Sequence, residues 1–289
     1  MFGLGFAVQR FRPLGERALA QLSGLVVDIL LPSYLFFTTA TSPILESSSA
    51  APVMIGLGIV VPLCNYGLAT LALRPSRVAK GQRSAFRFSI VVANTAFLGI
   101  PICEALFGPV GAVYAVLYDF GTTLVTMSLG IWELNGGHLR DWRPLVVTPL
   151  IWSVLLGLAW AWTGWQFPTW LARPFSTLGG ASLPLALLVG GAHVGNIQLS
   201  GFSGWRQLAG LTVTRMFVAP LVVGSALAVL GWRDLSMGVA VVESAMPVGL
   251  TAAILAKSCG ADAEFAASAI LWSTLAAMVS LPLVAILLA

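Results

Sequence analysis

Polar residues are so sparse along this chain that the apolar runs between them set its organisation. Runs bounded by charged residues, glycine or proline predict helices over residues 18–41, 52–73, 84–106, 109–133, 143–163, 172–194, 204–230, 236–257 and 263–288. Each approaches the roughly 20 residues with which a helix crosses a bilayer core. Residues 1–9 share the composition but are too short to span, and they read as the tail of one more helix. The expected fold is an all-α polytopic membrane protein with nine complete spans and one fragment.

Composition leads to the same class. Of 289 residues, 58% are hydrophobic and 9% charged, with mean hydropathy +0.92, whereas a soluble domain carries about 25% charged residues. A net charge of +4 would suggest nucleic acid in a soluble chain, but here the basic residues fall in short loops without interleaved aromatics. No nucleic-acid partner is expected, and the charges report topology instead. With the fragment counted as the first span, twelve of the 15 basic residues follow odd-numbered spans, among them Arg10, Arg74, Arg140, Arg206 and Lys257. Arg173 and Arg233 alone occupy the opposite loops, and Arg215 lies inside a span. This asymmetry puts the loops after odd-numbered spans in the cytoplasm and both termini outside; the membrane expected is a bacterial cytoplasmic (inner) membrane. The opening MFGLGFAVQ has its positive charges after the apolar run and no small-residue cleavage site, so it does not read as a signal peptide. Cys64, Cys103 and Cys259 show no CxxC or Cys/His spacing, which predicts packing roles and no metal.

The chain also resembles itself. AVLY at Ala115–Tyr118 returns as AILW at Ala269–Trp272, 154 positions later. Pro32 answers Pro184 at an offset of 152, Pro62 answers Pro220 at 158, and Pro101 answers Pro247 at 146. Four ordered matches at nearly one offset predict two related halves. Five spans per half is an odd number, so the second half enters the membrane from the other side and the halves are inverted repeats, a plan found in secondary transporters. The expected organisation is residues 1–133 as the first repeat, 134–144 as a cytoplasmic linker and 145–289 as the second repeat. The offset further predicts that the first span begins before Met1, leaving about ten of its residues out of this chain.

Two spans are interrupted at corresponding places: the fourth at NTAFLGIP and the ninth at ESAMPVGLT. Broken backbone at membrane depth leaves N–H and C=O groups unpaired unless protein or a water-filled cavity satisfies them. Matched breaks therefore point to a binding site, with segment starts near Ile100 and Val248 presenting amides to an anion. The ionisable residues inside spans, Asp28, Asp119, Glu243 and Arg215, are candidates for ion coupling or charge relay. Asp28 is equally placed to fill hydrogen bonds disrupted by Pro32, and Arg215 to bridge a carboxylate. His193 reads as interfacial, Asn65 as a polar contact between helices, and Trp132, Trp142, Trp162, Trp165 and Trp170 as interface anchors.

NTAFLGIPICEALFG followed by AVYAVLYDFGTTL, together with MPVGLTAAILAKSCGADAEFAASAILWSTLAAMVSLPL, resembles the auxin efflux carrier family, which includes plant auxin carriers and bacterial dicarboxylate carriers. The likeness covers nearly the whole chain. It implies ten helices in two inverted five-helix repeats, with helices four and nine crossing at their prolines around an organic-anion site. Carried over by position, it implicates Asn94, Thr95, Gly99 and Pro101 in one crossover, and Met246, Pro247, Val248 and Thr251 in the other. The family often has asparagine where this chain has Thr251, and its first helix is full length.

The expected function is secondary active transport of a small mono- or dicarboxylate by an elevator-type alternating-access mechanism. No cofactor is expected beyond H⁺ or Na⁺ as coupling ion, and a homodimer would form through a scaffold of helices one, two, six and seven. A gated channel is the alternative. An intramembrane aspartyl hydrolase is weaker, because Tyr118–Asp119 lacks a second aspartate in a GxGD context. No phosphate-binding loop supports ATP-driven pumping.

Overall fold

Prolines and glycines decide where the helices of this chain bend and stop. The computed structural model describes residues 1–41, 50–72, 80–135, 149–197 and 204–288. Its helices are α1 (Phe2–Phe11), α2 (Glu16–Thr41), α3 (Ala50–Ala72), α4 (Lys80–Val91), α5 (residues 95–107) and α6 (residues 109–134). They continue with α7 (Pro149–Trp162), α8 (Thr169–Gly195), α9 (Trp205–Val229), α10 (Leu235–Ser244), α11 (Thr251–Ser258) and α12 (Ala263–Leu288). Among the described residues the only extended pairing is one antiparallel bridge, Ala93 to Val248.

Six stretches are long and apolar enough to cross a membrane: α2, α3, the run from Thr95 to Leu134, α8, α9 and α12. Nine complete spans were expected, and the difference lies mainly in the interrupted ones. The apolar runs at 84–106 and 236–257 each divide into two shorter helices, α4 with α5 and α10 with α11. Gly108, at φ 73° and ψ −169°, turns the chain sharply between α5 and α6, and Pro109 starts the next helix. The linker expected at 134–144 and the basic stretch at 74–83 lie mostly outside the described residues, as does Trp142.

Three of the prolines share a local solution. Pro32, Pro101 and Pro220 each follow a π turn, at Val26–Leu30, Thr95–Gly99 and Thr214–Val218 respectively. A proline ring cannot donate to the carbonyl four residues back and collides with it, so the turn ahead of it widens. This relieves the backbone near Pro32 without help from Asp28, which is exposed on its π turn.

Packing proceeds by helix pairs. α1 lies along α8, α2 along α7 and α3 along α6. In the last pair Gly58 and Gly121 let two backbones touch: a Cβ on Gly121 would sit 2.9 Å from the Gly58 Cα. Such contacts replace the hydrophobic drive that is absent between helices in lipid. Large apolar side chains point outward on α9 and α12, including Leu221, Val279 and Leu287, as a hydrocarbon surrounding permits. Trp162, Trp165 and Trp170 are exposed near the α7–α8 connection, where an aromatic belt would sit. One buried cluster gathers α2, α5, α6, α8 and α10, and a second gathers α4, α11 and α12, so both interrupted helices lie between them.

Candidate functional site

A helix that stops inside an apolar protein must find new partners for its terminal N–H and C=O groups. α4 ends at Val91 and the chain becomes helical again at Thr95, while α10 ends at Ser244 and α11 begins at Thr251. The two gaps satisfy each other. The Asn94 N–H donates to the Pro247 carbonyl at 2.9 Å, and the Gly249 N–H donates to the Val92 carbonyl at 3.0 Å. Glycine is needed at 249, because a Cβ there would meet Val92 Cγ1 at 2.7 Å and the Ala93 oxygen at 2.8 Å. The neighbouring Val248 N–H donates to Ser273 Oγ on α12 at 3.0 Å.

Arg215 completes this pairing. Its guanidinium is 1% exposed, and Nε donates to the Met246 carbonyl at 2.8 Å while Nη1 donates to the Ile90 carbonyl. One side chain therefore caps a carbonyl from each broken helix. Among the described residues it forms no ion pair, so the expected carboxylate bridge is replaced by backbone carbonyls.

The helix restarts differ from the positions the sequence suggested. The first restart is at Thr95, as a π turn closed by the Gly99 N–H on the Asn94 carbonyl at 3.1 Å, so the leading amides are those of Thr95–Leu98 rather than Ile100. The second is at Thr251, because the Val248 and Gly249 amides are already bonded.

Most of the nominated residues converge here. Asn94, Thr95, Gly99, Pro101, Met246, Pro247 and Val248 are all buried, while Thr251 is exposed at the start of α11. The Asn94 side-chain amide nitrogen is buried and has no hydrogen-bond partner among the described residues. Thr95 Oγ1 donates to Asp119 on α6. Glu243, wholly buried, accepts a weak bond from Cys103 Sγ at 3.5 Å, and its Oε2 has no partner among the described residues. A Cβ on Gly99 would lie 2.7 Å from the Glu243 carboxyl carbon, so the crossover closes directly against that acid. Asp28 is not part of the cluster and has no bond to the crossover.

One further acid at the site was not singled out by the sequence. Glu104, one helical turn beyond Pro101, accepts a hydrogen bond from the Tyr34 hydroxyl of α2 at 2.5 Å. The signal was present, since an acid inside an apolar span is costly wherever it falls. His193 bonds Ser23 Oγ at 2.6 Å and meets the crossover's Phe97 ring edge-on at 6.3 Å. The same hydroxyl lies 2.9 Å from the Leu19 carbonyl, and which of Ser23 and His193 donates depends on the imidazole tautomer. Arg87 lies in α4, pairs with Glu133 at 3.2 Å and sits 5.8 Å over the Tyr66 ring. Among the described residues no group of three or more His, Cys, Asp or Glu is placed to hold a metal.

Comparison with known proteins follows the same lines. The family described as "Membrane transport protein" matches residues 1–137 and 138–285. An "Uncharacterized transporter" of Methanothermobacter thermautotrophicus is 29% identical over 290 residues, covering 99% of this chain and 94% of the relative. A second archaeal transporter, from Methanocaldococcus jannaschii, is 25% identical over 282 residues, covering 94% and 90% respectively. Auxin efflux carrier component 2 of Arabidopsis thaliana is 26% identical over 142 residues, 47% of this chain and 22% of the plant protein.

Proposed function

Because the chain belongs to the membrane transport protein family, we propose that it is a secondary active transporter of a small organic anion, a mono- or dicarboxylate bound at the crossover. The observation that carries this reading is the Asn94 amide. Its nitrogen is buried and, among the described residues, unpartnered, in a place where the Asn94 and Gly249 N–H groups and the Val92 and Pro247 carbonyls already bond one another. Buried donors are rarely left without an acceptor, and a carboxylate oxygen is the acceptor that a transported acid would bring. The leading amides of Thr95–Leu98 add partial positive charge, and the His193 imidazole meets Phe97 at the edge of the crossover.

Glu243 and Asp119 oppose an anion arriving alone, which is the physical case for coupling. A cation, H⁺ or Na⁺, entering with the solute would offset both acids, and the unpaired Glu243 Oε2 is where it would be received. The buried state of Asn94 and Met246 means that a solute reaches them only when packed elements separate. An elevator motion achieves this, with α1, α2, α7 and α8 as scaffold and the crossover as cargo carrier. Inverted repeats support that division: exchanging the halves converts the α1–α8 contact into the α7–α2 contact, and both pairs are present. The two matched family stretches meet at 137/138, close to the boundary expected between the repeats. In this reading the protein sits in a bacterial inner membrane with both termini outside and dimerises through its scaffold.

The test is flux of radiolabelled acetate, malonate and succinate in proteoliposomes, with Na⁺ and pH gradients varied. Saturable, gradient-dependent flux is expected, and Asn94→Ala or Pro247→Ala abolishes it at unchanged expression. Full transport by both variants refutes the site, and unitary currents in planar bilayers would replace the carrier with a gated channel.

A further inference from the structure

The Asn94 amide and the buried acid Glu243 lie at the two ends of one short piece of chain. The π turn Thr95–Gly99 follows Asn94 directly and closes on it, the Gly99 N–H donating to the Asn94 carbonyl at 3.1 Å. At its other end Gly99 packs against Glu243 of α10, where a Cβ would stand 2.5 Å from Oε1 and nearer still to Oε2. One backbone bond thus links the position of Asn94 to the wall of the acid.

Glu243 is 0% exposed and forms no ion pair among the described residues. On the elements packed against α10, the titratable groups that face it are Cys103 of α5 with Tyr118 and Asp119 of α6. Cys103 offers only the weak thiol bond, and Asp119, itself accepting from Thr95, has the same charge sign. Arg215 of α9 is bonded to the Met246 and Ile90 carbonyls, Glu104 turns to Tyr34, and Glu133 to Arg87. Arg206 and Glu264 are exposed at the starts of α9 and α12, and α3 has no charged residue. A carboxylate with no cation and one thiol donor is far more costly to bury than a neutral carboxyl.

A metal ion would need room and ligands that this place lacks. Na⁺, a hard cation like Ca²⁺, takes a shell of several oxygen ligands. Here the Gly99 backbone and a sulfur stand against the carboxyl, and Asp119 already holds a hydroxyl. A proton needs no shell and adds no volume.

We propose that the coupling ion is a proton carried on the Glu243 carboxyl, and that the π turn Thr95–Gly99 ties its exchange to occupation of Asn94. The coupling, though not the proton itself, rests on the carboxylate reading of the Asn94 site. On one side of the membrane water gives the Glu243 carboxylate a proton as the solute binds. On the other side the O–H bond breaks, the proton passes to water and the solute leaves.

Two measurements on the full chain test these parts separately. Infrared difference spectra of the purified protein in detergent, recorded across a pH titration, read the C=O stretch of a protonated carboxyl without any solute. A band is expected in the native chain and in Asp119→Asn, and its loss in Glu243→Gln. A band that survives in Glu243→Gln and disappears in Asp119→Asn overturns the proposal, as does the lack of any such band. In proteoliposomes, an inward pH gradient should accumulate radiolabelled malonate or succinate, and a Na⁺ gradient alone should not. Glu243→Gln should lose this accumulation while homologous exchange, which needs no net proton movement, falls much less. In the native chain malonate entry should also raise the pH of an unbuffered external medium, a readout that requires no variant. Undiminished accumulation in Glu243→Gln, accumulation driven by Na⁺, or flux without the pH rise overturns the coupling. Absence of flux for every acid defeats the carboxylate reading instead, and the infrared band still decides the proton on Glu243.

Discussion

Replacing Arg215 with methionine separates a backbone clamp from a solute ligand. The guanidinium makes two charge-assisted bonds, to the Met246 and Ile90 carbonyls, and all three groups are removed from water. A hydrogen bond to a charged group contributes about 1.5–3 kcal/mol, so losing both costs about 3–6 kcal/mol. Methionine also ends the desolvation of a buried charge, which places the net effect near the lower end, at about 3 kcal/mol. The unfolding midpoint in detergent should fall by on the order of 10 °C. Exchange of the Asn94 and Gly249 amides, which bridge the two gaps, should accelerate by roughly a hundredfold, since each factor of ten corresponds to about 1.4 kcal/mol. Arg215→Lys should lie between the native chain and methionine, because one ammonium on a flexible stem cannot hold two carbonyls from separate helices in a fixed fork. A methionine variant with an unchanged midpoint and unchanged exchange, but a raised KM for flux, would refute the clamp and make Arg215 a solute ligand.

Gly99→Ala should reduce flux and destabilise the fold by about 1–3 kcal/mol, since the added methyl overlaps the Glu243 carboxyl. Restoration of the midpoint in the Gly99→Ala, Glu243→Ala double variant would identify the overlap as the cause. Gly121→Leu should separate α3 from α6, because even a Cβ meets the Gly58 Cα at 2.9 Å; a thermal midpoint within a degree of native would contradict this packing. A double-mutant cycle on Arg87→Gln and Glu133→Gln should give a coupling of at most about 1 kcal/mol, since the pair is partly solvated, with side chains 19% and 9% exposed.

Several features could be read from the chain because they depend on local composition or local geometry. Apolar runs of span length marked the helices, and the predicted boundaries at 172–194 and 263–288 differ from α8 and α12 by only a few residues. Proline and glycine at 94–101 and 243–251 marked the interruptions, because neither residue continues a helix without loss. Glu243 stood out through the cost of placing an acid at membrane depth, whereas Asn94 was marked by the helix break and by the family resemblance.

What the sequence determined by itself was thus where helices form, where they break and which polar groups require an explanation. The tertiary structure decided how those requirements are met. That Arg215 caps Met246 and Ile90, that Asn94 pairs with Pro247 through its backbone while its amide nitrogen stays free, and that Tyr34 reaches Glu104 are contacts between residues 31, 125, 153 and 70 positions apart. Helix periodicity describes neighbours three or four residues apart and has no term for such distances. A buried donor or acceptor can be satisfied by any partner that packing brings within about 3 Å, so its identity depends on how whole helices cross.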